Sequence, residues 1–221
     1  LLQILSLLAM EPPADLEADS IRAEKLKVIK ALAPINRQNI AEKTVRGQYT
    51  DGFLNGRSVP GYLNEDGANK TSNTETFVAI KTEIDNWRWK GVPFYLRTGK
   101  RMPMKHSEIV VHFKQQPHNI FKDSYADLPS NKLTIRLQPD EGVELQMMNK
   151  IPGIASQMNI QENTLDLSFS KTYENKRVVD AYERLMLEVV NGNQSLFVSR
   201  DEVEAAWLWA DSIIDAWQSS N

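Results

Sequence analysis

Between Lys132 and Met147 the chain alternates. Leu133, Ile135 and Leu137 share one parity, and Lys132, Thr134, Arg136 and Gln138 share the other. Successive side chains of a strand point to opposite faces, so this pattern predicts a strand with one apolar and one polar side. Pro139-Asp140-Glu141-Gly142 follows, with the residue types that a tight turn uses. Val143, Leu145 and Met147 then alternate again. Two such strands joined by a turn form an antiparallel hairpin.

The hairpin has company. Thr164 to Ser170 repeats the alternation through Leu165, Leu167 and Phe169, and Glu108 to Lys114 reads as a strand. Upstream, Thr76 to Ile84 is rich in β-branched and aromatic residues, Val92 to Leu96 predicts a short strand, and Thr44 to Tyr49 another. Thr50 to Asn73, dotted with Gly, Pro, Asn and Asp, predicts a long surface loop. Ile35 to Lys43 reads as a polar connection and Gln115 to Leu128 as irregular.

Helical signals lie at the two ends. Leu1 to Ala9 is almost wholly apolar, and Ala18 to Leu32 places Ile21, Val28, Ile29, Leu32 and the stem of Lys25 on one face. Asp180, with Glu183 three residues on, and Ser199, with Glu202 three residues on, have the form of capping boxes. The first of these helices should bury Tyr182, Leu185 and Val189 and stop at Gly192. The second should bury Val203, Ala206, Trp207, Ala210, Ile213, Ile214 and Trp217. Helices, then strands joined by turns, then helices predict an α+β fold. Its large, mostly antiparallel sheet would carry helices on one face and leave the other for a second subunit.

Composition narrows the function. A net charge of -3 and the lack of any long basic run argue against binding a nucleic-acid backbone. Without cysteine there can be no disulfide, thiolate nucleophile or Cys-type zinc site, which fits a reducing, cytoplasmic setting. Leu1 to Met10 is too short to span a bilayer. His106, His112 and His118 are spaced by six and share no helical face, so no metal site is assigned to them. Neither a G-x-G-x-x-G fingerprint after a strand nor a Walker loop occurs.

One cationic segment stands out. Gly99 permits a tight turn, and Lys100, Arg101 and Lys105 follow it closely, with Pro103 stiffening the loop. From charge alone this is either a solvated hairpin end or a holder for a compact anion.

Longer matches decide between these. V-R-G-Q-Y at 45–49, T-E-T-F-V-A-I-K at 74–81, W-K-G-V-P-F-Y-L-R-T-G-K-R-M at 89–102, I-R-L-Q-P-D-E-G at 135–142 and D-A-Y-E-R-L at 180–185 run in order along the chain. They closely resemble the C-terminal domain of bacterial glucose-6-phosphate dehydrogenases. The resemblance implies that residues 1–221 form a substrate-binding and dimerisation domain. It also implies that the Rossmann domain that binds NADP, the substrate motif of R-I-D-H-Y-L-G-K type and the catalytic His-Asp pair precede Leu1. The family continues beyond Asn221, so the sequence looks trimmed at both ends. No catalytic residue is then expected in this chain, and the isolated chain should be inactive. Lys100 and Lys105 match contacts to glucose 6-phosphate, and Gln138 matches a position near the substrate in some members. Arg97 and Arg136 match residues that hold a second, structural NADP in animal members. Val110, Glu144 and Gln146 replace that site's other contacts, so no cofactor is expected here. A homodimer through the sheet is implied, with no nucleic-acid or membrane partner. A non-catalytic dimerisation or binding module of the same fold is the alternative.

Overall fold

Apolar runs and capped segments become, in chain order, α1 (Leu2–Ala9), α2 (Ala18–Lys30), α3 (Ile40–Lys43), β1 (Thr44–Gly47), β2 (Gly52–Leu54), β3 (Arg57–Val59), β4 (Phe77–Thr82), β5 (Phe94–Gly99), β6 (Ser107–His112), β7 (Lys132–Gln138), β8 (Gly142–Lys150), β9 (Ile160–Ser168), α4 (Phe169–Thr172), α5 (Ala181–Val190) and α6 (Arg200–Gln218). The computed structural model describes residues 1–122, 125, 127–154, 159–173 and 180–219. Part of the irregular Gln115–Leu128 connection lies outside the described residues. Every strand pairing is antiparallel among the described residues. The α+β class holds, and the strands divide into ladders ordered β1-β4-β5, β2-β3 and β6-β7-β8-β9.

The chain forms two units, Leu1–Met102 with Asp180–Asn221, and Pro103–Val179. The first unit holds the main core. Leu5 and Ala9 of α1, Val28 and Ile29 of α2, Leu32, Ile35, Ile40, Ile84, and Trp209, Ile213, Ala216 and Trp217 of α6 are buried together. Burying each large side chain here stabilises the fold by about 1.5–3 kcal/mol. Val78, Ile80, Phe94 and Leu96 pack against this cluster from one face of the β1-β4-β5 sheet. Tyr95 and Arg97 alternate to the other face and are exposed. Three indoles reach this cluster because each N–H finds an acceptor: Trp89 at Ala9 O (2.8 Å), Trp209 at Ala33 O (3.0 Å) and Trp217 at Thr44 Oγ1 (2.9 Å).

An ion pair crosses the same unit. Glu202 is 0% exposed and Lys25 5% exposed, and Lys25 Nζ lies 2.6 Å from Glu202 Oε1. Glu202 also completes the capping box. Its Oε2 accepts from Ser199 N–H (2.9 Å), while Ser199 Oγ accepts from Glu202 N–H (3.3 Å). Periodicity predicts burial of the Lys25 stem alone; its ammonium is inside as well. These polar requirements also set the rotation of α6. Trp209, Ile213, Ala216 and Trp217 face inward, whereas Val203, Trp207 and Ile214, expected in the stripe, are exposed.

Helix α5 departs further from expectation. Asp180 does cap it, accepting from Tyr182 N–H (2.8 Å), and Gly192 follows it with φ +69°. Tyr182 and Val189 are nevertheless exposed, and the buried residue is Glu188. Glu188 is paired with Arg184 Nε (3.0 Å), and Arg22 of α2 holds the segment that follows the helix. The Arg22 guanidinium donates to Gln194 O (3.1 Å) and Phe197 O (3.3 Å), tying down the α5–α6 connection. Two segments are more ordered than their composition suggests. The Thr50–Asn73 loop contains the β2–β3 hairpin and a 3₁₀ turn at Tyr62–Asn64, and the Ile35–Lys43 connection buries Ile35 and Ile40.

In the second unit the register aligns Ile109, Ile135, Val143 and Leu167 across the sheet, and beside them Val111, Leu133, Leu145 and Leu165. All eight therefore share one face. None belongs to the buried cluster, and Leu165 and Leu167 are 61% and 49% exposed. Within the first unit, α6 packs in the core against one face of the β1-β4-β5 sheet, with the Trp209 and Trp217 indole N–H groups bonded.

Candidate functional site

Lys100 is placed by its backbone. Strand β5 pairs with β4 through Phe77↔Gly99, and Lys100 N–H extends the ladder by donating to Thr76 O (2.7 Å). Thr76 is buried and anchored twice more. Its N–H donates to Gly47 O (2.9 Å), and its Oγ1 accepts from Tyr49 N–H (2.9 Å). The Lys100 side chain is exposed, and among the described residues it makes no ion pair. It is a cation delivered to solvent by a fixed backbone.

The turn does not occur at Gly99. That residue ends β5, and a Cβ there would lie 2.9 Å from Met102 Sδ and 3.0 Å from Phe77 Cδ2, so the glycine lets these two side chains close over the strand end. The left-handed residue is Arg101, at φ +52°. Its guanidinium is ion-paired with Glu65 Oε1 and sits 5.7 Å from the Tyr49 ring centroid. Tyr49 OH donates to the same Glu65 oxygen (3.1 Å). Glu65 first, and Tyr49 after it, hold the Arg101 pKa above its ordinary value, so this guanidinium stays charged.

Lys105 and Gln138 belong to the second unit. Gln138, at the end of β7, pairs with Ser107 at the start of β6, and Lys105 precedes Ser107 by two residues. The two therefore sit at one end of the four-stranded sheet, both exposed. Lys100 belongs to the first unit and is not brought to them within either unit. Sequence reasoning groups Arg101 with the two lysines as one basic cluster. It has no signal for Glu65, 36 residues away, as the partner that neutralises it.

Other candidates are committed elsewhere. Arg136 bonds Glu144 Oε2 through one terminal nitrogen (3.0 Å) and Asp166 Oδ1 through the other (2.6 Å). Asp166 is the main reason its pKa stands above the ordinary value. His106 Nε2 lies 2.8 Å from Glu108 Oε2, and no metal-binding group of three His, Cys, Asp or Glu occurs among the described residues. The described residues form no parallel βαβ unit of the kind that cradles a dinucleotide. No helix among them is long and apolar enough to cross a membrane.

Known proteins resemble this chain over its whole length. Residues 1–221 match the family model described as glucose-6-phosphate dehydrogenase, C-terminal domain. A glucose-6-phosphate 1-dehydrogenase of Dickeya dadantii is 63% identical over 221 residues, covering 100% of this chain and 45% of the relative. One from Rhizobium meliloti is 54% identical over 221 residues, with 100% and 44% covered. A solved structure of glucose-6-phosphate dehydrogenase in complex with its substrate glucose-6-phosphate superposes with a TM-score of 0.85 at 36% identity, covering 97% of this chain and 42% of that one. The chain thus spans about 45% of the length of the curated relatives it matches.

Proposed function

The chain belongs to the glucose-6-phosphate dehydrogenase family as its C-terminal domain, and on that premise we propose that it is the sugar-phosphate-holding part of an enzyme oxidising glucose 6-phosphate to 6-phosphogluconolactone with reduction of NADP. The observation that carries the proposal is Lys100, an exposed ammonium without an ion-pair partner among the described residues, at the end of a strand whose backbone is pinned to buried Thr76. A phosphate monoester bears nearly two negative charges. Each charge-assisted contact to it stabilises binding by about 1.5–3 kcal/mol. Lys105 is a second such cation, and Gln138 a neutral amide for a sugar hydroxyl at the same sheet end. The described strands form no parallel βαβ unit of the kind that cradles a hydride-accepting dinucleotide. Arg136 is already held by two carboxylates. The dinucleotide and the catalytic base belong to the remainder of the parent protein.

The parent works as a cytoplasmic homodimer joined through the four-stranded sheet. Support for the dimer comes from the eight aliphatic side chains that share one face and lie outside the buried core. Two-fold pairing of such a face removes it from water. Support for the compartment comes from the lack of cysteine.

The site is tested in the full-length parent. Lys100→Ala and Lys105→Ala should each raise KM for glucose 6-phosphate on the order of tenfold and change kcat less, because the phosphate is remote from the reacting carbon. Unchanged KM in both single variants and in the double variant would remove these lysines from the site.

A further inference from the structure

Arg101 and Lys100 are adjacent cations, yet the structure treats them differently. Lys100 points to solvent, whereas Arg101 turns back onto Tyr49 and Glu65. We infer that Arg101 is a positioning residue, latched by Glu65 and Tyr49, which stations Lys100 for the phosphate and is not itself a phosphate ligand. The inference rests on the proposal above that Lys100 binds glucose 6-phosphate.

The geometry holds residues 100 and 101 from two sides through one hub. Thr76 takes the Lys100 N–H on its carbonyl (2.7 Å) and the Tyr49 N–H on its hydroxyl (2.9 Å). Tyr49 is thereby fixed in register with Lys100, and its ring forms the plate on which the Arg101 guanidinium lies. Arg101 must adopt a left-handed backbone (φ +52°), which a non-glycine residue avoids unless its surroundings enforce it. The enforcing groups are the Glu65 carboxylate and the Tyr49 ring. Without them the residue after Lys100 is released to the ordinary region, and the direction in which Lys100 leaves the strand changes.

This gives the Thr50–Asn73 segment a task. Its first part is stapled: Gly61 N–H donates to Asp51 Oδ1 (2.5 Å), Tyr62 N–H to Tyr49 O (3.0 Å) and Glu65 N–H to Tyr62 O (3.2 Å). Tyr62 also packs edge-on against Tyr49, with ring centroids 5.9 Å apart. The segment is an arm that carries Glu65 to Arg101. Because Glu65 neutralises Arg101, the pair adds little net field, and of these two adjacent cations only Lys100 presents its charge to the phosphate.

The test is made in the full-length enzyme with glucose 6-phosphate and NADP, alongside Lys100→Ala. The variants are Glu65→Gln, Arg101→Gly and the double change. Glycine tolerates φ +52°, so Arg101→Gly removes the latch without straining the turn. Glu65→Gln and Arg101→Gly should each raise KM for glucose 6-phosphate by roughly threefold to tenfold, below the hundredfold that an ångström of misplacement can reach. The double variant should be no worse than either single one, since both changes release the same latch. KM for NADP should stay unchanged, and Arg101→Lys should recover part of the loss. An increase with Arg101→Gly but none with Glu65→Gln would make Arg101 a direct ligand and overturn the inference. So would no increase in either while Lys100→Ala raises KM, which leaves the parent proposal standing. No effect of Lys100→Ala would fell the parent proposal and this one with it.

Discussion

Replacing Lys25 by Met should damage this protein more than most surface or core substitutions. The structure puts the Glu202 carboxylate out of reach of solvent, with Lys25 Nζ 2.6 Å away. Methionine fills the stem's space but leaves the carboxylate buried without its cation. Breaking a buried pair from one side costs about 3–5 kcal/mol. At an m-value of about 2 kcal/mol/M, the urea midpoint falls by roughly 1.5–2.5 M. Converting Glu202 to Gln as well removes the stranded charge and keeps an oxygen for Ser199 N–H, so Lys25→Met/Glu202→Gln should recover most of the loss. Tryptophan fluorescence is the natural assay, because all five tryptophans lie in the unit that contains the pair. The pH dependence gives an independent check. Burial pushes the Glu202 pKa up, but the Lys25 ammonium and the Ser199 N–H and hydroxyl outweigh it, leaving the folded value below the ordinary one. A carboxyl with a depressed folded pKa contributes stability above its unfolded value, near 4.3, and loses it as pH falls through the folded value. The double variant should therefore show a shallower loss of stability in acid than the wild type. A Lys25→Met variant within about 1 kcal/mol of wild type would refute the reasoning, since it would place the pair among exposed ones. A double variant as unstable as the sum of the single losses would refute it equally.

Gly142→Ala should destabilise the second unit by about 1–3 kcal/mol, since its Cβ would meet Leu167 O at 2.6 Å and Arg136 Nη2 at 2.8 Å; thermal unfolding followed by far-UV circular dichroism measures it. Leu165→Glu/Leu167→Glu should shift the parent enzyme from dimer to monomer in sedimentation equilibrium at micromolar concentration, and an unchanged dimer would exclude this sheet face as the interface. Purified 1–221 should form no NADPH from glucose 6-phosphate and NADP, because hydride transfer needs a bound nicotinamide and a base for the sugar C1 hydroxyl; a rate above background would contradict the division of labour proposed here.

Period-two patterns make the strands legible in the amino-acid sequence. Lys132–Gln138 is a strand with those bounds, because alternation and turn chemistry are local properties. Helix starts are equally legible at Ser199 and Asp180, where the cap is one side chain and one backbone N–H. The direction a helix faces is harder to read. The stripe expected on α6 is displaced toward Val203, Trp207 and Ile214 because hydrophobicity alone cannot know that Trp209 has an acceptor at Ala33 or that Glu202 has Lys25. Helix α5 differs from expectation for the same reason, its buried Glu188 being paired with Arg184, which hydrophobicity does not register. At the candidate site, Lys100 is recognisable from its motif. Glu65 is invisible, since a lone glutamate in a polar loop has no pattern that announces its partner.

The division of the chain also has a temporal consequence. The first unit is assembled from both ends of the sequence, and Pro103–Val179 is inserted between them. During synthesis the inserted sheet is complete before α6 exists. The nascent Leu1–Met102 must keep Leu5, Val28, Ile29 and Ile84 without their partners Trp209, Ile213 and Trp217 while the insert and α6 are made. At about 5–20 residues per second that wait is on the order of ten seconds. Within residues 1–221, Leu1–Met102 is thus made before the rest and closed last, and for that interval its apolar side chains lack their α6 partners.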